Sequence, residues 1–222
     1  LREEILDKPF DEMDKATFTK TFEEIETQLN DKISNATGID TLVTNHSAKE
    51  ITPMLNSYKG YFGGIIELKA ELNGKPAPTF DNFQNFDGST TSLSDLKGKY
   101  VYVDVWATWC GPCKYEIPYL KEVEQKYHDK NIAFVSMSVD DEKRSGTMEK
   151  AEQDWKAMVA DKELKGIQIM SPNGWKNDFV TGFKINGIPR FILIGPDGNT
   201  VDASAPRPSD ERLITLFNKH NI

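Results

Sequence analysis

The sequence predicts an α/β protein, a mixed central sheet flanked by helices, joined to an all-helical N-terminal extension. Three observations predict it. Apolar residues recur every three or four positions through the first part of the chain. Gly74-Lys-Pro-Ala-Pro78 then imposes an extended, non-helical path. Beyond it, β-branched and aromatic runs alternate with helical stripes in the order ββ-βαβ-αβ-αββα, the pattern of a sheet covered by helices. The chain therefore divides into a helical extension, residues 1–75, and an α/β domain, residues 76–222, which carries an N-terminal β-hairpin and a helical insertion.

The 222 residues suffice for one large domain or two small ones, with ample core. The formal net charge of −8 argues against nucleic acid as a partner. No apolar run approaches the roughly 20 residues of a membrane span. The sequence opens at Leu1 with neither a start methionine nor an apolar signal core, so we expect a processed or trimmed chain.

Taken in order, residues 1–10 are charged and aperiodic, which suggests a loose tail. Phe18, Phe22, Ile25, Leu29 and Ile33 then mark one face of an amphipathic helix over residues 12–33, closed by residues 35–38. Thr52-Pro53 predicts an N-cap with proline at the first position of a second helix. Inside that helix Gly63-Gly64 is unfavourable by about 1 kcal/mol per glycine. Close helix–helix packing offsets such a cost, and a ligand groove is the sharper alternative. Residues 80–86, a turn at Asp87-Gly88 and residues 90–93 predict a hairpin.

Residues 100–105 read as a buried strand. The helix after Cys113 carries Ile117, Leu120, Val123 and Tyr127 on one face and Pro118 in its interior. Residues 132–139 form the next strand, and residues 142–161 one helix with the stripe Met148, Ala151, Trp155, Val159. A strand at 167–170 and a helix or turn at 174–179 follow. The turn Asn186-Gly-Ile-Pro189 leads into an apolar strand, and Pro196-Asp-Gly-Asn199 turns into its partner. Ser209 is the expected N-cap of the last helix.

The two cysteines of the chain stand in Trp109-Cys-Gly-Pro-Cys113, between the strand and the helix. Three residues apart on a first helical turn, their sulfurs can meet without backbone movement. At the helix N-terminus, unpaired N–H groups and the macrodipole favour a thiolate at Cys110. Such a site makes and breaks a disulfide. A static bridge or half of a zinc site is the alternative, but His46, His128 and His220 show no ligand spacing, so we expect no metal.

Val103-Asp-Val-Trp-Ala-Thr-Trp-Cys-Gly-Pro-Cys-Lys114 closely resembles the thioredoxin active site, and Gly187-Ile-Pro189 is similar to that superfamily's cis-proline loop. The wider pattern, WCGPCxxEIPxL plus the inserted helix, resembles the TlpA/ResA-like thiol–disulfide oxidoreductases, which are related to the alkyl-hydroperoxide-reductase group. The resemblance covers about two-thirds of the chain, from Pro76 onward. It implies a thioredoxin-like fold with a four-stranded core sheet and a location in the bacterial cell envelope, periplasmic or lipid-anchored. Oxidised protein thiols become the substrate, a membrane or soluble thiol the electron donor, and the disulfide itself the sole redox group, with no cofactor.

By position the resemblance makes Cys110 the attacking and Cys113 the resolving cysteine. Trp109, Gly111, Pro112, Ile188, Pro189 and Arg190 become the substrate-facing surface. Asp104 matches the buried aspartate of cytosolic thioredoxins, Glu116 the acidic residue that envelope members place after the motif, and this chain has both.

Cys113 lies deeper in the helix and needs a base, and Asp104 and Glu116 compete for that role. A solvated surface charge is the alternative for each. Arg190 either supports the thiolate or turns to solvent from its strand. Lys114 reads as a surface lysine. Peroxidase chemistry lacks its usual groups, since Ala107 and Val103 hold the positions of the needed hydroxyl and proline. Oxidase or isomerase activity is a further rival, and so is a binding module in which residues 1–75 recruit a partner and the cysteines form a redox latch.

Overall fold

A computed structural model describes residues 8–35 and 41–222, with 41–48 as backbone alone. The chain divides into two compact units, Leu1–Glu71 and Leu72–Ile222. Most of the expected N-terminal tail (1–7) and of the expected helix break (36–38) lies outside the described residues.

In the first unit, helix α1 spans Lys15–Ser34. The Asp14 carboxylate accepts hydrogen bonds from the amides of Ala16 and Thr17 and so caps it. Phe18, Phe22, Ile25 and Leu29 form its buried stripe, as their spacing predicts. Phe10 corrects the tail reading: it is fully buried in a short 3-10 turn, Phe10–Glu12, edge-on to Phe18 at 5.7 Å.

Helix α2 runs without interruption from Thr41 to Leu72 with Pro53 inside it, so Thr52 is no N-cap. An interior proline costs roughly 3 kcal/mol. The apolar rhythm Ile51, Leu55, Tyr58, Phe62 passes through it unbroken and packs onto the core of α1, which offsets that loss. An added Cβ at Gly63 would meet the Phe18 ring at 3.7 Å, ordinary packing between helices, and Gly64 faces open space.

The second unit holds a seven-stranded sheet in the order β2-β1-β5-β4-β3-β6-β7. Its strands are β1 (Phe83–Asn85), β2 (Thr90–Thr91), β3 (Tyr100–Trp106), β4 (Ile132–Ser138), β5 (Ile167–Met170), β6 (Arg190–Ile194) and β7 (Thr200–Asp202). β3, β4 and β5 are parallel, and the remaining pairs are antiparallel. β4-β3-β6-β7 is the four-stranded core the resemblance implies; β5 and the predicted hairpin β1-β2 widen it.

Helix α3 (Gly111–Lys126) follows β3 and runs through Pro118. The insertion expected as one helix is two, α4 (Glu142–Ser145) and α5 (Met148–Asp161). Gly146, at φ +91°, leaves helical geometry and the Thr147 side chain caps the new start, so a continuous stripe hides a break. A short α6 (Asp178–Gly182) precedes β6, and α7 (Arg212–Lys219) ends the chain. Leu120 and Val123 of α3 and its C-cap Tyr127 pack with Leu213 and Phe217 of α7 on Tyr102, Phe134 and Phe191 of the sheet. The alternate residues Val103, Val105 and Ile192 are buried as well, so both faces of the sheet are covered.

Candidate functional site

β3 ends at Trp106, and the next residues are held from beside. Asp140, fully buried just past β4, accepts hydrogen bonds from the Thr108 amide (3.0 Å) and hydroxyl (2.7 Å) and from the Ser138 hydroxyl (2.7 Å). This clamp fixes the approach to α3. Sequence reasoning missed it, although a carboxylate closing an apolar parallel strand was the available signal. Cys110 is the N-cap of α3, its Sγ accepting from the Cys113 amide at 3.1 Å. Cys110 and Cys113 are joined in a disulfide, their Cα atoms 5.3 Å apart. Gly111 and Pro112 form the exposed first turn, and Lys114 is exposed.

Asp104 pairs with Ser136 of β4 and Phe191 of β6 in the middle of the sheet. It shares the Tyr102 face, beneath α3, since alternate residues of a strand point the same way. Its carboxyl is 9% exposed, and Oδ1 has no hydrogen-bond partner among the described residues. Burial first, then the nearby charges of Glu116 and Glu124, push its pKa up to about 8. The solvent-facing alternative for Asp104 does not hold.

Glu116 is only 3% exposed and is no surface charge. Both its oxygens are taken: the Ser209 amide donates to Oε2 at 3.0 Å and the Ser209 hydroxyl to Oε1 at 2.9 Å. Ser209 therefore does not cap α7. The helix begins at Arg212 after Glu211, whose side chain makes no cap bond. A serine that spends its hydroxyl on a buried carboxylate across the fold has none left for its own helix.

A third carboxyl stands in the same region and was not singled out from the sequence. Glu124, two turns beyond Glu116 and 9% exposed, has its pKa raised by burial to about 7, against the opposing pull of Lys121 and Lys165. Asp104, Cys113, Glu124, Trp106, Ser136 and Gln168 line one small cavity. The signal in the sequence was the stripe Cys113, Ile117, Leu120, Glu124, spaced four, three and four residues along α3, which places a charge where a core residue belongs.

The outward side differs. Trp109 is 36% exposed and stacks on Trp175 with ring centroids 6.4 Å apart. Arg144 lies over the Trp109 ring, 4.7 Å from its centroid. These three, with Asp141, Lys143 and Met148, line an open groove. Trp175 and Arg144 come from segments the sequence reading left without a role.

The Ile188–Pro189 peptide is cis. Arg190 starts β6 opposite Val105, which sets the Ile188-Pro189 turn at the end of the sheet where β3 gives way to the disulfide loop. Arg190 is half-buried, not turned fully to solvent.

Among the described residues no cluster of three or more histidine, cysteine or carboxylate side chains is arranged to hold a metal. No described helix is long and apolar enough to cross a membrane.

Residues 72–212 match the redoxin family. The thiol-disulfide oxidoreductase ResA of Bacillus thuringiensis subsp. konkukian is 31% identical over 162 residues, covering 73% of this chain and 84% of that protein. The crystal structure of the thioredoxin domain of a Bacteroides vulgatus thiol-disulfide oxidoreductase superposes with a TM-score of 0.57 at 28% identity, covering 67% of this chain and 96% of that one. The solution structure of a thiol:disulfide interchange protein from Bacteroides sp. gives a TM-score of 0.56 at 29% identity, covering 68% of this chain and 91% of that one.

Proposed function

The chain belongs to the redoxin family, and from that premise we propose that it is a thiol–disulfide oxidoreductase that reduces disulfides of extracytoplasmic proteins. The observation that carries the reading is the Cys110–Cys113 disulfide at the head of α3, with Asp104, whose Oδ1 has no hydrogen-bond partner among the described residues, lining the same cavity as Cys113.

In the reduced protein the Cys113 N–H, which Cys110 Sγ already accepts in the disulfide, and the positive end of the helix dipole favour a Cys110 thiolate. It attacks one sulfur of a substrate disulfide, and the other substrate sulfur leaves as a thiolate. Cys113 then gives its proton to Asp104 and attacks the Cys110 sulfur, releasing the second substrate thiolate. Two electrons have passed to the substrate, and the protein is left with the disulfide seen here. The two sulfurs carry those electrons, so the cycle needs no cofactor. A membrane or soluble dithiol restores the reduced form.

Asp104 is the better acceptor for the Cys113 proton, because Ser209 already occupies both oxygens of Glu116. Glu116 then serves by raising the proton affinity of Asp104 through its charge. The groove at Trp109 and the Ile188-Pro189 turn receive the extended substrate, with Gly111, Pro112 and Arg190 at its edge. The family's envelope members support a location in the bacterial cell envelope.

Insulin reduction tests the activity. With dithiothreitol present, the protein is expected to accelerate precipitation of the insulin B chain, and Cys110→Ser to abolish that acceleration. A wild-type rate equal to that of dithiothreitol alone would remove the reading.

A further inference from the structure

The mechanism above leaves a proton on Asp104, a buried group, and that proton must leave before the next cycle. Three of the residues that line the cavity behind Cys113 each carry a buried polar atom with no hydrogen-bond partner among the described residues: Asp104 Oδ1, Trp106 Nε1 and Gln168 Oε1. Two are acceptors and one is a donor, the complement that a water molecule satisfies, and the space admits about one water. Such a grouping is costly in an apolar core unless water joins it.

Glu124 lies on the same stripe of α3 as Cys113 and lines the same cavity. Its carboxylate accepts no hydrogen bond from any described residue, so its charge rests on Lys121 and Lys165 and on solvent at its exposed edge. The backbone closes around it. A Cβ at Gly166, where φ is +64°, would come within 2.7 Å of Glu124 Oε1 and 2.9 Å of the Phe134 carbonyl oxygen. A carboxyl flanked by two lysines thus lines the same cavity as the proposed base.

We propose that Glu124 is the exit of a proton path behind the disulfide, passing to solvent, through water in this cavity, the proton that Asp104 takes from Cys113. The proposal rests on the oxidoreductase reading above. Glu124 acts through Asp104 and is a positioning residue, since it does not touch the reacting sulfurs. The proton affinities suit the transfer between the two carboxyls: Asp104 is pushed up to about 8 and Glu124 to about 7, so the step from one to the other is nearly level. The charged groups acting on Glu124 are Lys121 on its own helix and Lys165 before β5; those acting on Asp104 are Glu116 and Glu124 itself.

The test uses the reduced full chain and 5,5′-dithiobis(2-nitrobenzoate), a chromogenic aryl disulfide. Cys110 attack releases one nitrothiobenzoate anion. Cys113 attack on the resulting mixed disulfide releases the second, closes the Cys110–Cys113 bond and frees one proton. The two electrons of the dithiol end on the two anions, and absorbance separates the two phases.

For Glu124→Gln we expect an unchanged first phase and a second phase slowed roughly tenfold near pH 7. Its pH midpoint should move to lower pH, because a negative neighbour of Asp104 is gone. Glu124→Asp, which keeps the acid, should recover most of the rate, and it carries the test if the glutamine variant fails to fold. A second phase with wild-type rate and midpoint in Glu124→Gln would overturn the path. So would a shifted midpoint with no slowing at any pH, the signature of a field acting through space without proton transfer. If Glu124→Asp is as slow as or slower than Glu124→Gln, the path fails too. A wild-type protein with no first phase and no insulin reduction would instead sink the functional reading itself.

Discussion

Trp109 and Cys113 stand four residues apart and open onto unlike surroundings. Trp109 lines a broad groove with Trp175 and Arg144, where ring stacking and a cation over an aromatic face leave polar and apolar surface within reach of solvent. Cys113 lines a small inner cavity with Asp104, Glu124 and Gln168, and three of its lining residues each carry a buried polar atom without a hydrogen-bond partner among the described residues. One side is broad, aromatic and open; the other is small and places carboxyls beside a single sulfur. The helix head separates the two tasks: N-cap geometry puts Cys110 at the end of α3 and Cys113 one turn inside it. On the proposed reading, variants on the two sides should therefore separate binding from proton transfer.

The largest expected effect comes from cutting the inner side off altogether. Cys113→Ser should stop turnover and leave Cys110 joined to substrate, a mixed disulfide visible by intact mass or on a non-reducing gel. If that variant accumulated no adduct with an oxidised protein substrate, Cys110 would not be the attacking sulfur.

Asp104→Asn comes next. It should slow the Cys113 step by about 10²-fold, the lower range for a positioned base, while raising stability. The sign follows from linkage. Asp104 titrates at about 8 in the fold against an ordinary 3.8, so the folded state holds a proton that the unfolded chain has lost between those values. The stability this gives is full below about pH 4 and is lost as pH rises toward 8, at no more than roughly 1.4 kcal/mol per pH unit. The advantage of asparagine in the oxidised protein should accordingly grow from pH 5 to pH 8 and level off above. Thermal melts across that range check it, and parallel curves for the two proteins would contradict the buried, unpaired state of the carboxyl.

Trp109→Ala sharpens the comparison from the outer side. Losing the Trp175 stacking and the Arg144 contact removes about 1 kcal/mol of interaction at a partly exposed site. We expect KM for a protein disulfide to rise about fivefold, with the Cys113 step and its pH midpoint unaltered. A changed midpoint would mean that the two sides are coupled after all.

Much of this was legible in the sequence where the signal is local. The cysteine spacing placed both sulfurs, the strand pattern buried Asp104, and the resemblance marked Ile188-Pro189 as a cis peptide, which it is. What escaped depends on partners far apart in the chain. Glu116 and Ser209 are separated by 93 residues, and neither shows alone that one side chain bonds the other. Glu124 reads as an ordinary helix charge until the sheet beneath it is known. Trp175 and Arg144 gain a role only when their loops reach Trp109. The helical breaks misled in opposite ways. Pro53 predicted a start where packing carries α2 straight through, and a regular stripe concealed the interruption at Gly146.

The smallest effect is expected from removing the first 71 residues. Every residue placed at the site belongs to Leu72–Ile222, which has its own core of Tyr102, Phe134, Phe191 and Phe217 with α3 and α7. The first unit has a separate core of Phe10, Phe18, Phe22 and Leu55, and it supplies no group to the sulfur chemistry described here. A unit with its own core can fold alone, so the shortened protein should reduce a small disulfide within about twofold of the full chain. Its Asp104-dependent pH profile should also persist. The informative contrast is with a protein partner trapped by Cys113→Ser. If the shortened chain keeps insulin reduction but no longer captures that partner, the helices recruit it. If insulin reduction itself falls more than tenfold, the inner and outer sides of the disulfide are not the whole of the catalytic apparatus.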